Sequence, residues 1–182
     1  MRLWLIRHPR PEVEPGICYG RSDLGVGDDT LAAAVGALAP RLPSGVPLFS
    51  SPLKRCACLA EALAPGAVRY DARLMEMDFG AWEMRHWQDI ARAEVDAWAQ
   101  DLPHYRPGGG ESLTQMAERV AAFCHALRHD GVEQAAVVCH AGTIRLLDTI
   151  SRGLPPQAAA AETHNIPYGA LLTLDTPEEG IR

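Results

Sequence analysis

Two histidines and two arginines carry the chemistry that this sequence can do. Arg7-His8 stands just past the apolar run Leu3-Trp4-Leu5-Ile6, and His140 stands just past Ala135-Ala136-Val137-Val138-Cys139. Each run reads as a buried strand with an imidazole at its carboxyl end, where open parallel α/β sheets bind their ligands. The two rings therefore point to one crevice despite their separation in sequence. Imidazoles beside arginines suit phosphate: Arg7 and Arg55 have planar forks that grip phosphate oxygens bidentately, with His140 helping. A neutral His8 is a competent nucleophile near neutral pH, provided that a carbonyl or carboxylate holds its other ring N–H. The departing oxygen needs a proton, and Glu76, expected in a partly dry pocket within Leu74-Met75-Glu76-Met77-Asp78-Phe79-Gly80, is the candidate donor.

The elements that must position these groups alternate along the chain. Short apolar strand patterns at residues 2–6, 46–49, 67–70, 135–139 and 170–174 suit the central strands of a parallel sheet. Helical patterns fill the gaps, which is the signature of an α/β domain. Residues 31–39 are alanine-rich. Ser51-Pro52 offers an N-cap and a first-turn proline for a helix running to about residue 63, with Arg55 in its first turn. A cation there opposes the helix dipole, and a bound anion would explain it. Leu113, Met116, Val120, Phe123 and Leu127 line one face of a helix over 113–127, opened by a capping-box pair, Ser112 and Gln115. The turn-rich Pro107-Gly108-Gly109-Gly110 reads as a mobile loop near the site. A last helix over 143–154 follows His140-Ala141-Gly142, so its unpaired backbone N–H groups face the same crevice and invite a phosphate oxygen.

Composition narrows the partners. The 182 residues, 47% of them hydrophobic, suit one domain over 1–182 with a sizeable core, and the net charge of −6 argues against nucleic acid or an anionic membrane as the main partner. No apolar stretch approaches a membrane span and no signal-peptide core precedes Arg7, so a cytoplasmic location is expected. The five cysteines form no regular framework and read as reduced, structural thiols. The chemistry above calls for no metal or other cofactor, and no Walker-type loop or ligand cluster is apparent. His86, His104, His125 and His129 read as peripheral, with His164 the exception to watch, and Trp82 and Trp87 read as core or pocket wall.

Taken in order, Arg7-His8, Ser51-Pro52-Leu53-Lys54-Arg55, Glu76 with Asp78-Phe79-Gly80-Ala81-Trp82-Glu83, Pro107-Gly108-Gly109-Gly110-Glu111-Ser112 and His140-Ala141-Gly142-Thr143-Ile144-Arg145 resemble the histidine phosphatase superfamily, the phosphoglycerate mutase-like proteins. The resemblance implies a three-layer α/β sandwich, a mostly parallel central sheet with helices on both faces. It also implies a phosphohistidine on His8, phosphate-pocket roles for Arg7, Arg55 and His140, and Glu76 as proton donor. Within the superfamily the chain looks most like the α-ribazole phosphatase branch of cobalamin biosynthesis, judging from residues 75–87 and its compact length. Cys18-Tyr19-Gly20-Arg21 resembles the substrate-side loop, which gives Tyr19 and Arg21 binding roles, and Ala141 joins them as a substrate contact. Pro9 replaces the usual glycine after the histidine, and Glu14 stands where many members carry asparagine.

The expected activity is therefore hydrolysis of a small phosphorylated metabolite. A phosphomutase is the alternative within the superfamily, although mutases tend to carry insertions that enclose the site. A phosphate-binding module without turnover is the alternative outside enzymology, and it has no use for His8 and Glu76 together.

Overall fold

The computed structural model describes residues 1–161 and 165–176. Its five strands are β1 (Arg2–Arg7), β2 (Leu48–Ser50), β3 (Val68–Tyr70), β4 (Gln134–Cys139) and β5 (Leu171–Asp175), in the sheet order β3-β2-β4-β1-β5. The pairings β2·β3, β2·β4 and β1·β4 are parallel, whereas β5 lies antiparallel along β1. The helices are α1 (Asp28–Leu38), α2 (Lys54–Leu63), α3 (Arg92–Gln100), α4 (Leu113–His129), α5 (Ala141–Ser151) and the short α6 (Ala158–Ala161).

Side chains alternate across the sheet with the two-residue period of a strand. Leu3, Leu5, Ala135, Val137 and Cys139 face a core built with Met116, Val120, Phe123 and Leu127 of α4 and Ile144 and Leu147 of α5. Ile6, Leu48, Ala136 and Val138 face the other way, against Leu38 of α1 and Cys56, Leu59 and Ala60 of α2. Both faces of β4 are buried, hence its uninterrupted apolar run. The result is the three-layer α/β sandwich with a mostly parallel sheet.

The capping box at α4 forms as expected: Ser112 Oγ accepts from Gln115 N at 3.2 Å and Gln115 Oε1 accepts from Ser112 N at 3.0 Å. Three other expectations shift. The helix expected over 143–154 starts earlier, with His140 as N-cap, and closes at Gly153, whose φ of +66° lets Leu154 N reach Thr149 O. Residues 92–100, where the sequence reading placed no named element, form α3. The glycine-rich segment is no mobile loop but a tight turn pressed on residues 78–82. A Cβ on Gly108 would lie 2.2 Å from Phe79 O, and one on Gly80 2.3 Å from Gly108 O. These glycines are needed for close backbone approach. All five cysteines are free thiols, and only Cys58 is less than fully buried.

Candidate active site

The carboxyl ends of β1 and β4 bring the two imidazoles together, with ring centroids 5.1 Å apart. His8 is 2% exposed. Its Nδ1 lies 2.6 Å from Pro9 O; because a carbonyl only accepts, Nδ1 carries the proton and Nε2 keeps its lone pair. The holding group thus comes from the residue next in chain, a proline whose ring fixes φ. Among the described residues Nε2 has no partner. Burial first, then the charge of Arg55, depress the His8 pKa to about 3, with Arg7 adding to the effect against the opposing Pro9 carbonyl.

Arg55 leaves the first turn of α2 fully buried. Its Nε donates to His140 Nδ1 at 3.3 Å, and its terminal nitrogens donate to Ser22 O at 2.7 Å and Gly20 O. A local structural reason for this arginine therefore exists, where dipole reasoning found none. Three of its five N–H groups are thereby engaged, which leaves one on each terminal nitrogen, the two tines of a fork. All three acceptors are neutral, and among the described residues no carboxylate pairs with Arg55. A buried guanidinium without a counter-charge is costly, and a bound anion offsets that cost.

His140 is fully buried and, because Nδ1 accepts from Arg55, its Nε2–H donates to Ser51 Oγ at 2.9 Å. Burial first, then Arg55, hold its pKa well below the ordinary imidazole value. Both ring nitrogens are thus engaged by protein, so direct donation to a phosphate requires exchange of the Ser51 contact. Ser51 is spent here and not as a helix cap: α2 begins after Leu53, with no side-chain cap.

Arg7 reaches Ile166 O and lies with its guanidinium carbon 3.9 Å above the Tyr168 ring, a cation–π contact. Tyr168 also packs 5.6 Å from the His8 ring and shares a 2.7 Å hydrogen bond with Tyr19, whose ring lies 5.4 Å from the Arg55 guanidinium carbon. Sequence reasoning missed Tyr168. Because β5 runs antiparallel, the turn that precedes it lies at the His8 end of β1, a direction that periodicity does not encode.

Glu76 sits at the start of α5, where Oε2 accepts from Gly142 N at 3.0 Å and Oε1 accepts from Met77 N at 3.1 Å. A Cβ on residue 142 would fall 2.3 Å from Oε1, so glycine makes room for the carboxyl. The helix N-terminus expected to meet phosphate thus receives Glu76 instead at Gly142. Behind it, Arg119 donates to Arg73 O, Met75 O and Glu76 O and forms a two-point ion pair with Glu111, at 2.7 and 2.8 Å. Sequence reasoning missed this clamp too; Arg119 is spaced like any polar residue on the outer face of α4.

Arg21 turns away from the imidazoles, toward Glu111 Oε1 at 3.5 Å and Asp78 Oδ2 at 3.9 Å. The loop it belongs to is gathered by Glu83, whose carboxylate accepts from Gly20 N, Arg21 N, Ser22 N, Ser22 Oγ and Phe79 N. Burial works to raise the Glu83 pKa, but these bonds outweigh it and hold it below the ordinary value. Ala141 and Tyr19 line a cavity beside Glu76. Glu14 is exposed on the outer surface beside Glu12 and Met84. His104, His125 and His129 are exposed, His86 is half-buried, and His164 lies outside the described residues. No three His, Cys, Asp or Glu side chains gather as a metal would require, among the described residues.

Comparison with known proteins agrees with this geometry. The chain is 30% identical to the adenosylcobalamin/alpha-ribazole phosphatase of Escherichia coli K12 over 171 residues, 87% of this chain and 82% of that one. It is 31% identical to the glucosyl-3-phosphoglycerate phosphatase of Mycolicibacterium vanbaalenii, over 85% of this chain and 75% of that one. The crystal structure of the alpha-ribazole phosphatase from Shigella flexneri superposes with a TM-score of 0.84 at 26% identity, covering 98% of this chain and 92% of that one. The model of the histidine phosphatase superfamily (branch 1) matches residues 3–182, and the chain belongs to that family.

Proposed function

We propose that the protein is a phosphoric monoester hydrolase that transfers the phosphoryl group of a small metabolite to His8 Nε2 and then to water. The observation that carries this reading is the Nε2 of His8, held in one tautomer by Pro9 and without a partner among the described residues, beside guanidinium groups that have no carboxylate partner among those residues. Arg7 and the remaining N–H groups of Arg55 hold the phosphate oxygens, and His140 keeps the Arg55 fork in place. Nε2 attacks phosphorus as the ester P–O bond breaks, and Glu76 gives its proton to the departing oxygen. Water then attacks the phosphohistidine, returns a proton to Glu76 and frees inorganic phosphate. Tyr19 contacts the substrate at the mouth, Ala141 does so at the start of α5, and Arg21 acts through Glu111.

Residues 1–182 act as one domain in this reading, in keeping with the family match over residues 3–182, and the enzyme works in the cytoplasm. α-Ribazole phosphate is the first metabolite to try, from the names of the relatives. The reading is tested by incubating the protein with radiolabelled phenyl phosphate in chelator and quenching. An acid-labile, alkali-stable label on protein is expected, and it should be absent in His8→Ala. Full turnover by that variant would refute the mechanism.

A further inference from the structure

One turn of chain, just before β5, holds Arg7 by both main chain and side chain. Arg7 N donates to Ala170 O at 3.0 Å, and Gly169 N lies 3.2 Å from both Arg7 O and His8 O. A terminal nitrogen of Arg7 donates to Ile166 O, and its guanidinium carbon lies 3.9 Å above the Tyr168 ring. Arg7 Nε is buried and has no partner among the described residues, which leaves a donor for an anion. A second segment holds Arg55, through Gly20 O and Ser22 O. The 2.7 Å bond between the Tyr19 and Tyr168 hydroxyls ties the two segments together. We infer, resting on the phosphomonoesterase reading, that Tyr168 is a positioning residue: its ring fixes the Arg7 fork and, through Tyr19, its hydroxyl sets the spacing of that fork from Arg55.

A guanidinium on its long stem has many rotamers, and a single bond to a carbonyl leaves the plane of the fork free to swing. A ring face close against it removes much of that swing, and the negative π face favours the cation. The choice of group matters for charge. A carboxylate in the place of Tyr168 would neutralise Arg7, whereas a neutral ring orients the guanidinium and leaves its full charge for a phosphate. Tyr168 is 41% exposed and belongs to none of the apolar clusters, so core packing gives no reason for it. Its ring contacts are instead with Arg7 and His8. The exposed hydroxyl bond adds little stability by itself, and its effect is to hold two loops in register.

The test follows kcat/KM for phenyl phosphate and, by calorimetric titration, the Kd of orthophosphate in the same set of variants. Tyr168→Leu keeps apolar bulk but removes the π face, and should lower kcat/KM and weaken orthophosphate by about 20-fold each, the scale of a partly desolvated cation–π contact. Its denaturation midpoint should stay that of the unaltered protein. Tyr168→Phe keeps the ring and should lose only about threefold, the hydroxyl tie alone. Adding Tyr19→Phe to it should cost nothing more, because the tie is already gone. In Arg7→Ala, where the ring has no fork to hold, Tyr168→Leu should cost less than about twofold. A full loss in that background, or a Phe variant as damaged as Leu, would overturn the assignment. Orthophosphate binding needs no turnover and so separates the two readings. Hydrolysis of no ester at all defeats the phosphatase, whereas orthophosphate affinity indifferent to Tyr168→Leu defeats the positioning role.

Discussion

The two halves of the site are built from opposite materials. At the carboxyl ends of β1 and β4, buried polar groups engage one another at fixed distances, from Pro9 O through His8 and from Ser51 through His140 to Arg55. Beyond Glu76 the lining is largely apolar and aromatic, drawn from the segment between residues 77 and 116 together with Ile17, Tyr19, Leu146 and Ala159. The first half has little freedom to vary, because removing one partner strands another buried polar group. The second half can exchange one apolar side chain for another at modest cost. On the proposed reading, reaction type resides in the strand ends, and choice of substrate in the loops and α3 beyond Glu76.

Substitutions sharpen that division. His8→Ala should slow turnover of every phosphomonoester by roughly 10⁴-fold or more, as loss of a covalent nucleophile does; a loss confined to bulky esters would break the division. Arg55→Lys removes the fork and should cost roughly 10²- to 10³-fold in kcat for small and large esters alike. Glu76→Gln should slow ethyl phosphate by about 10²-fold or more and phenyl phosphate far less, since a phenolate scarcely needs the proton. An equal loss for both esters would remove Glu76 from the proton-donor role.

A smaller effect is expected at Glu83, whose carboxylate ties the loop over residues 20–22 to Phe79 and so joins the two halves. Glu83→Gln should cost about 1–3 kcal/mol of stability, read as a lower denaturation midpoint, and raise KM for both ester types. Stability should also depend on pH. An unfolded imidazole takes its proton near pH 6.5, whereas folded His8 does so only near 3. Between those values the unfolded chain binds the extra proton, so stability falls as the pH falls. The Glu83 contribution is present above its unfolded value of 4.5 and is lost as the pH drops through its lower folded value, which acts in the same direction. Melting temperature should therefore decline from pH 6.5 toward 3, and a flat curve from 6.5 to 5 would contradict the burial of a neutral His8.

The polar half was the more legible in the sequence. A strand ending in Arg7-His8 and another ending in His140 can be read from apolar runs alone, and the parallel rule places both rings at one end. The capping box of α4 is equally local. Contacts that depend on where distant loops meet were not legible. Tyr168 is seated by the antiparallel direction of β5, and Arg119 by the backbone carbonyls it happens to face. Gly108 is required by the backbone of residues 79–82, which only tertiary structure brings against it. α3 went unseen because a nine-residue amphipathic helix without a side-chain cap differs little from a polar loop.

One feature of the sheet bears on how such a protein comes to be made. β1 lies between β4 and β5 and pairs with no other strand: Arg2 meets Gln134 on one side and Asp175 on the other. β1 thus waits until Gln134–Cys139 have been made before either edge is hydrogen-bonded, a topology of long-range pairing and slow closure. Until then Leu3, Trp4, Leu5 and Ile6 remain a sticky nascent segment. The same delay keeps the His8 ring apart from His140, so the proposed phosphate site exists only after β4 has joined the sheet.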